Sequence, residues 1–422
     1  MSRTSRFSCA VEWAGPWGVD DGVVTETTRP VGERRVRASH VTTALLALAL
    51  GGFAIGTTEF MTMGLLEEIA DGIDRSNATT GYIISSYALG VVVGAPIIVA
   101  LGARLPKREL AIGLILALGI GNAFTALAQG YTPMLVARFL AGLPHGAYFG
   151  VASLLAASLV RPEFKGRAVS SVMLGLSVAT VAGVPASTIL GQTLGWRSAY
   201  WAVLVIAIAA AAMIAIFVPH SPANLDASVR SELSALKRPQ VLYALAAGMV
   251  GFGGLFAMYS YIAPIVTQVI DVDERWIAAF LLVFGVGSVL GAWLAGVLSD
   301  WNVERTVVIG FASLAVALLL FWAFTPLVVP AALLVFAVGV LGSVLAISLQ
   351  MRLMSAAGDA QMLGAALNHS ALNVANGLGA ALGSVVIAGG FGYRAASLVG
   401  AGLAVLGLLI FAAGLVVQRR TP

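Results

Sequence analysis

The segment ARFLAGLPHGAYFG, residues 137–150, places Arg138 and His145 inside a run of more than twenty mostly apolar residues. A charge at the bilayer centre costs ~2.5–3.5 kcal/mol on the lenient insertion scale, so intramembrane charges face a partner or a watery path. The seven-residue spacing is two helical turns and sets both side chains on one face. A third titratable group, Glu59, lies in LALGGFAIGTTEFMTMGLL, seven residues before the end of its own apolar run. Counted from the matching ends of two antiparallel helices at 1.5 Å per residue, Glu59 and Arg138 sit on the order of 10 Å below one surface. His145 then lies close to mid-membrane. Two chemistries fit this row. Glu59 can bind a proton or a cationic solute in alternation, with Arg138 countering its charge when the proton leaves. Alternatively, Glu59 and Arg138 form a structural ion pair between two helices, and a backbone carbonyl beside Pro144 satisfies His145.

A second polar row lies in LGAALNHSALNVANGLGAALGS, where His369, Asn373 and Asn376 fall at i, i+4 and i+7 on one face. They can line a solute cavity, or glue helices together in lipid. Tyr259 and Tyr261, just before Pro264, and Gln350 are further candidates for the same cavity, with packing as the plainer role. The segment SVMLGLSVATVAGVPASTILGQ carries Gly175, Gly183, Pro185 and Gly191. Its glycines permit close backbone approach, and a mid-helix proline removes a hydrogen bond and bends the helix. A hinge, a gate or close packing all fit.

The elements that hold these residues are membrane helices. Of the 422 residues 59% are hydrophobic and 10% charged, with a mean hydropathy of +0.94, against about 25% charged in an ordinary soluble domain. Apolar runs between polar breaks predict an all-α membrane protein of twelve spans, at about 42–66, 79–101, 109–128, 132–158, 167–190, 198–218, 240–267, 276–298, 306–324, 328–350, 361–389 and 395–417. With both termini cytoplasmic, nineteen of the 24 Lys and Arg fall in inside segments and four (Arg75, Arg197, Arg275, Arg394) outside, a strong positive-inside asymmetry. The basic balance, with a pI near 9.4, is therefore read as topology, and no nucleic-acid partner is expected.

The longest break, PHSPANLDASVRSELSALKRPQ, divides the spans six and six. The expected organisation is a disordered cytoplasmic tail (1–41), a six-helix bundle (42–218), a cytoplasmic linker (219–239), a second six-helix bundle (240–417) and a short cytoplasmic tail (418–422). Each half carries a charged turn between its second and third span, GARLPKRE with Arg104, Lys107 and Arg108, and GVLSDWNVERT with Asp300 and Arg305. Weak internal symmetry of this kind marks a transporter built from structural repeats. The single cysteine, Cys9, lies in the tail, so no disulfide framework and no cysteine metal site is expected. No cofactor is expected either. No GxSG, HExxH or G-x-x-x-x-G-K-[ST] string occurs, so neither an intramembrane hydrolase nor a pump with its own nucleotide loop is indicated.

Together GTTEFMTMGLL, RFLAGLPHGAYFG, AGVPASTILGQTLGWRSAYW and the two charged turns resemble the major facilitator superfamily. More narrowly they resemble its twelve-span drug:proton antiporters, the branch of arabinose-efflux-permease-like and chloramphenicol-resistance exporters, over about residues 42–417. The resemblance implies alternating access between two six-helix bundles in the plasma membrane. It implies a small-molecule substrate, a drug such as a phenicol, in exchange for protons, by a monomer in the lipid bilayer. Export of a sugar, nucleoside or endogenous metabolite is the alternative, and a non-transporting sensor on the same scaffold is a third. It ties Arg138 to proton coupling and Glu59 to proton or substrate binding. It makes Gly183 and Pro185 the core of an antiporter motif, here separated by Val184. The first charged turn has Ala103 where the family carries an aspartate that clamps the two halves, which shifts the clamp toward Asp300 and Arg305.

Overall fold

A computed structural model describes residues 38–222, 229–273 and 275–420. Residues 1–37 of the expected tail, with Cys9, residues 223–228 of the linker, and residues 421–422 lie outside the described residues. The first half runs α1 (Ala38–Gly64), the short α2 (Leu66–Gly72) and α3 (Asn77–Thr80), α4 (Tyr82–Gly102), α5 (Lys107–Leu127), α6 (Tyr131–Ser158), α7 (Lys165–Val178), α8 (Val184–Leu194) and α9 (Trp196–Phe217). The linker contains α10 (Val229–Ser234). The second half runs α11 (Pro239–Gly251), α12 (Gly253–Tyr259), α13 (Ile262–Gln268), α14 (Arg275–Phe324), α15 (Val328–Ala356), α16 (Gln361–Val386) and α17 (Ala395–Arg420). There is no strand among the described residues, as expected where backbone groups must be satisfied without water.

Eleven continuous helical stretches are long and apolar enough to cross a membrane, one fewer than the twelve expected spans. The difference is α14, whose 50 residues would extend ~75 Å at 1.5 Å per residue, against a hydrocarbon core of ~30 Å. It is two crossings. Asn302 breaks it with φ −166° and ψ 104°, and its Oδ1 accepts the Arg305 N–H at 2.8 Å, the geometry of an N-cap that starts the next helix. Two expected boundaries also move outward: α1 begins at Ala38 and α17 runs to Arg420, so the ends of both supposed tails are helical.

The fifth crossing is not one α-helix. Between α7 and α8, residues Ala179–Gly183 form a π-turn, and Pro185 follows at the start of α8, where its missing N–H is tolerated. This crossing packs along α1 through glycines. A Cβ on Gly52 would lie 2.7 Å from Val172 O, one on Gly191 2.7 Å from Leu65 Cδ1, and those on Gly175 and Gly183 would overlap Ala49 O and Thr57 Oγ1. The backbones touch because nothing larger intervenes. Gly175→Val is expected to force the two helices apart at a cost of about 1–3 kcal/mol or more and to lower the monodisperse fraction on size exclusion. An unchanged elution profile and melting temperature would contradict the seam.

The side of the molecule that carries the linker is tied by several polar contacts. Ser221 Oγ accepts the Lys107 N–H at 3.0 Å and so caps α5. Arg352, nearly buried, pairs with Glu304 at 3.1 Å and donates to Gln240 Oε1 at 3.0 Å and Gln418 Oε1 at 2.5 Å. That cluster binds four crossings of the second half together.

Candidate functional site

Arg138 and His145 are both fully buried on α6, and their partners come from four other helices. The Arg138 guanidinium donates from Nη1 to Thr58 Oγ1 at 3.1 Å and from Nη2 to Thr58 O at 3.3 Å. It lies 4.3 Å from the centre of the Tyr87 ring and 5.7 Å from that of Tyr200, a cation–π arrangement that is worth more when desolvated. Thr58 passes the bond on, donating to Asn122 Oδ1 at 2.5 Å. Thr62 Oγ1 and the Tyr200 hydroxyl meet at 3.0 Å. Thus α1, α4, α5, α6 and α9 converge on one cation.

The direct Glu59–Arg138 ion pair expected from their matched depth is not formed. Arg138 does meet α1 at the expected level, but it takes Thr58. Consecutive helical residues are turned about 100° from each other, so a helix that aims residue 58 at the guanidinium swings residue 59 aside. Glu59 is half-buried and remains within electrostatic reach of Arg138. The carboxyl is thus close to a fixed cation without being locked to it.

From Arg138 the polar track continues through Tyr87. The Tyr87 hydroxyl is 3.0 Å from His145 Nδ1, and His145 Nε2 is 3.2 Å from Nδ1 of His369 on α16. His369 also stacks on Phe149, with centroids 4.1 Å apart and planes 8° from parallel. His145 is therefore satisfied by side chains, not by a carbonyl beside Pro144, and the two polar rows read in the sequence meet ring to ring across the halves.

The other expected cavity residues are divided. Asn373 is half-buried and donates one amide hydrogen to the His369 carbonyl at 3.0 Å, within α16. Asn376 is half-buried. Tyr259 packs on Phe284 with centroids 4.2 Å apart. Tyr261 donates to Ala380 O at 2.6 Å and fills the space over Gly383, a packing role inside the second half. Gln350 donates to Ser153 Oγ at 2.6 Å across the halves.

On the linker side, the Asp300 carboxylate accepts the Gly166 N–H at 2.6 Å and the Arg167 N–H at 3.3 Å, and pairs with Arg167 Nε at 3.4 Å. These donors are the first turn of α7, where an anion is favoured by unpaired N–H groups and the helix dipole. Arg305 takes no part: it is exposed and lies over the Trp301 ring. In the first charged turn Ala103 is buried. Lys107 Nζ donates to Ala103 O at 2.6 Å, and Arg108 binds His220 at 2.9 Å and the Ala215 carbonyl, all within the first half and linker. Arg104 is exposed. The acid that acts on Lys107 is Glu232 of α10, whose carboxyl is pushed up by burial while Lys107 draws it down.

Among the described residues, the hydrogen bonds between the halves lie at mid-membrane or on the linker side. Tyr87, Thr58 and Ser153 were not legible as site residues from the sequence. Their signal was only a hydroxyl on an apolar stretch, which lone tyrosines and threonines give in any membrane helix.

The Major Facilitator Superfamily model matches residues 48–367. The inner membrane transport protein YdhP of Escherichia coli K12 is 38% identical over 367 residues, covering 87% of this chain and 94% of its own. A chloramphenicol resistance protein of Streptomyces lividans is 35% identical over 362 residues, covering 84% and 90%. Among solved structures, FucP in the outward conformation superposes with a TM-score of 0.70 at 15% identity, covering 88% of this chain and 98% of that one, a likeness of fold. Twelve apolar crossings, a buried arginine on the fourth and the glycine seam along the fifth agree with this match: the chain belongs to the Major Facilitator Superfamily, and is a multi-pass membrane transporter of small molecules rather than an enzyme.

Proposed function

We propose that the protein is a proton-coupled exporter of small amphipathic or aromatic molecules, phenicol-type antibiotics among them, working by alternating access. The observation that carries this reading is the half-buried, unlocked Glu59 beside the fixed Arg138 cation, one residue from Thr58. A proton entering from the far side neutralises Glu59, relaxes its attraction to Arg138, and is delivered inward as solute leaves. The two moving bodies are residues 42–218 and 240–417, and the side with the linker and termini faces the cytoplasm of a plasma membrane. The protein works as a monomer. The 35% identity to a chloramphenicol resistance protein supports the cargo class. The driving force suffices: one charge moving down 100 mV contributes ~2.3 kcal/mol and each pH unit ~1.4 kcal/mol, enough for roughly tenfold to several hundredfold concentration.

The test is survival of cells expressing wild type or Glu59→Gln on phenicols, dyes and sugar analogues, with and without a protonophore. Protection that Glu59→Gln reduces by about tenfold or more, and that the protonophore abolishes, is expected. Protection kept by Glu59→Gln would remove Glu59 from coupling. Protection against sugar analogues alone would move the cargo to sugars.

A further inference from the structure

We propose that His145 and His369 are a second proton-binding element, a cross-bundle pair that holds the closed linker side with up to one added proton and releases it with two. The proposal rests on the transporter reading above but not on Glu59. The two imidazoles come from α6 and α16, 224 residues apart in sequence, and both are buried. They meet Nε2 to Nδ1 at 3.2 Å.

The hydrogen count decides what this contact tolerates. A neutral imidazole has one N–H and one bare nitrogen; an imidazolium has two N–H groups and no acceptor. In the neutral pair, either His145 Nε2–H donates to His369 Nδ1 and the Tyr87 hydroxyl donates to His145 Nδ1, or every bond runs the other way. One added proton still leaves a bare nitrogen at the junction, because only one ring is then an imidazolium. Two added protons make both rings imidazolium, and N–H faces N–H. The bond is then lost, and two like charges repel with ring centroids 5.1 Å apart. The bundles must part at this point, or one proton must leave.

The surroundings fit a charge-counting role. The groups facing the pair are Tyr87 from α4, bonded to His145, Arg138, lying over that tyrosine, and Glu59 from α1, which acts electrostatically on Tyr87. No carboxylate pairs with either histidine among the described residues. Other titratable groups on the neighbouring elements are committed elsewhere, Tyr148 to Leu48 O, Tyr259 to Phe284 and Arg352 to Glu304. His369 Nε2 is buried with no partner, so the pair carries a nitrogen with no bond in the closed state. Its neighbours Gly146 and Gly150 bring α6 against α16, with Met362 O only 2.5 Å from where a Gly150 Cβ would stand. A separation of the rings is therefore felt directly as a separation of the halves.

The experiment uses the full chain in lipid nanodiscs, with Cys9→Ser and spin labels at Glu163→Cys and Asp359→Cys, two exposed linker-side sites in opposite halves. Interlabel distance is followed from about pH 8 to about pH 5, the range in which histidine changes charge. The starting chain is expected to open on acidification, while His145→Gln and His369→Gln, which keep hydrogen-bonding ability and lose the titration, match it at pH 8 and stay closed at pH 5. A variant that opens as the starting chain does, a starting chain that stays closed throughout, or variants already open at pH 8 would each overturn the proposal. Distance needs no substrate, so the pair can pass while proton-driven export fails, and the reverse.

Discussion

Arg138→Ala is expected to abolish transport and to lower the folded fraction. The side chain makes two bonds to Thr58 and lies over Tyr87, and it holds five helices around one buried cation. Hydrogen bonds to a charged group contribute about 1.5–3 kcal/mol each, so losing the two to Thr58 removes a large part of the roughly 5–15 kcal/mol by which folded proteins are stable. Flux must therefore be expressed per folded molecule. On that scale the loss is expected to be about hundredfold, because Glu59 then has no cation to exchange its attraction against. Arg138→Lys separates charge from geometry. An ammonium keeps the charge but lacks the planar fork that reaches both Thr58 oxygens while facing a ring. It is expected to fold and to lose about tenfold or more in proton-driven flux. Wild-type flux from Arg138→Lys in proteoliposomes would mean that a point charge suffices, and the fork would be packing.

The second large effect is expected from Asp300→Asn. The carboxylate joins the halves through two N–H groups at the start of α7 and through Arg167. Its side chain is 10% exposed whereas that of Arg167 is 41% exposed, so the backbone bonds dominate and the ion pair adds little. Hydrogen bonds to a charged group contribute about 1.5–3 kcal/mol each, and an amide keeps part of one of them. The closed-to-open ratio on the linker side is then expected to fall about 10-fold to 100-fold. Ser170, which packs between Gly296 and Arg167 in this seam, is the reporter. In a Cys9→Ser background, maleimide labelling of Ser170→Cys is expected to accelerate by the same factor when Asp300→Asn is added. Unchanged labelling would mean that the clamp lies elsewhere, with the Gln350–Ser153 bond the next place to look.

This clamp rests on the Asp300 carboxylate, because Ala103 stands where the resemblance places a clamping aspartate. Ala103 cannot bond across the halves. What stands near that turn instead is the linker helix α10, which packs against α4 and the Gly358–Ala360 turn with the Glu232 carboxyl acting on Lys107. Closure on the linker side thus leans on the second charged turn, on the mid-membrane contacts of α6 with α16, and on the linker.

Much of the architecture was legible because apolar transfer is a local property. A run of about twenty apolar residues crosses a bilayer whatever its neighbours are, so the crossings could be read one by one. Even α14 yields to the same argument, since 50 helical residues exceed any single crossing. The candidate polar residues were legible for the matching reason: Arg138, His145, Glu59 and His369 are expensive in lipid, and expense marks them.

Their partners were not legible. Depth along a helix is counted in residues, but facing is set by rotation, and a 100° step gave Arg138 to Thr58 rather than to Glu59. The His145–His369 contact needed two helices 224 residues apart to be brought together by glycines too small to hold them off. The amino-acid sequence by itself determined that this is a membrane transporter with a few costly polar groups at set depths. Only the tertiary structure decided which of those groups touch, because helix rotation and close packing between halves are fixed by all the contacts at once.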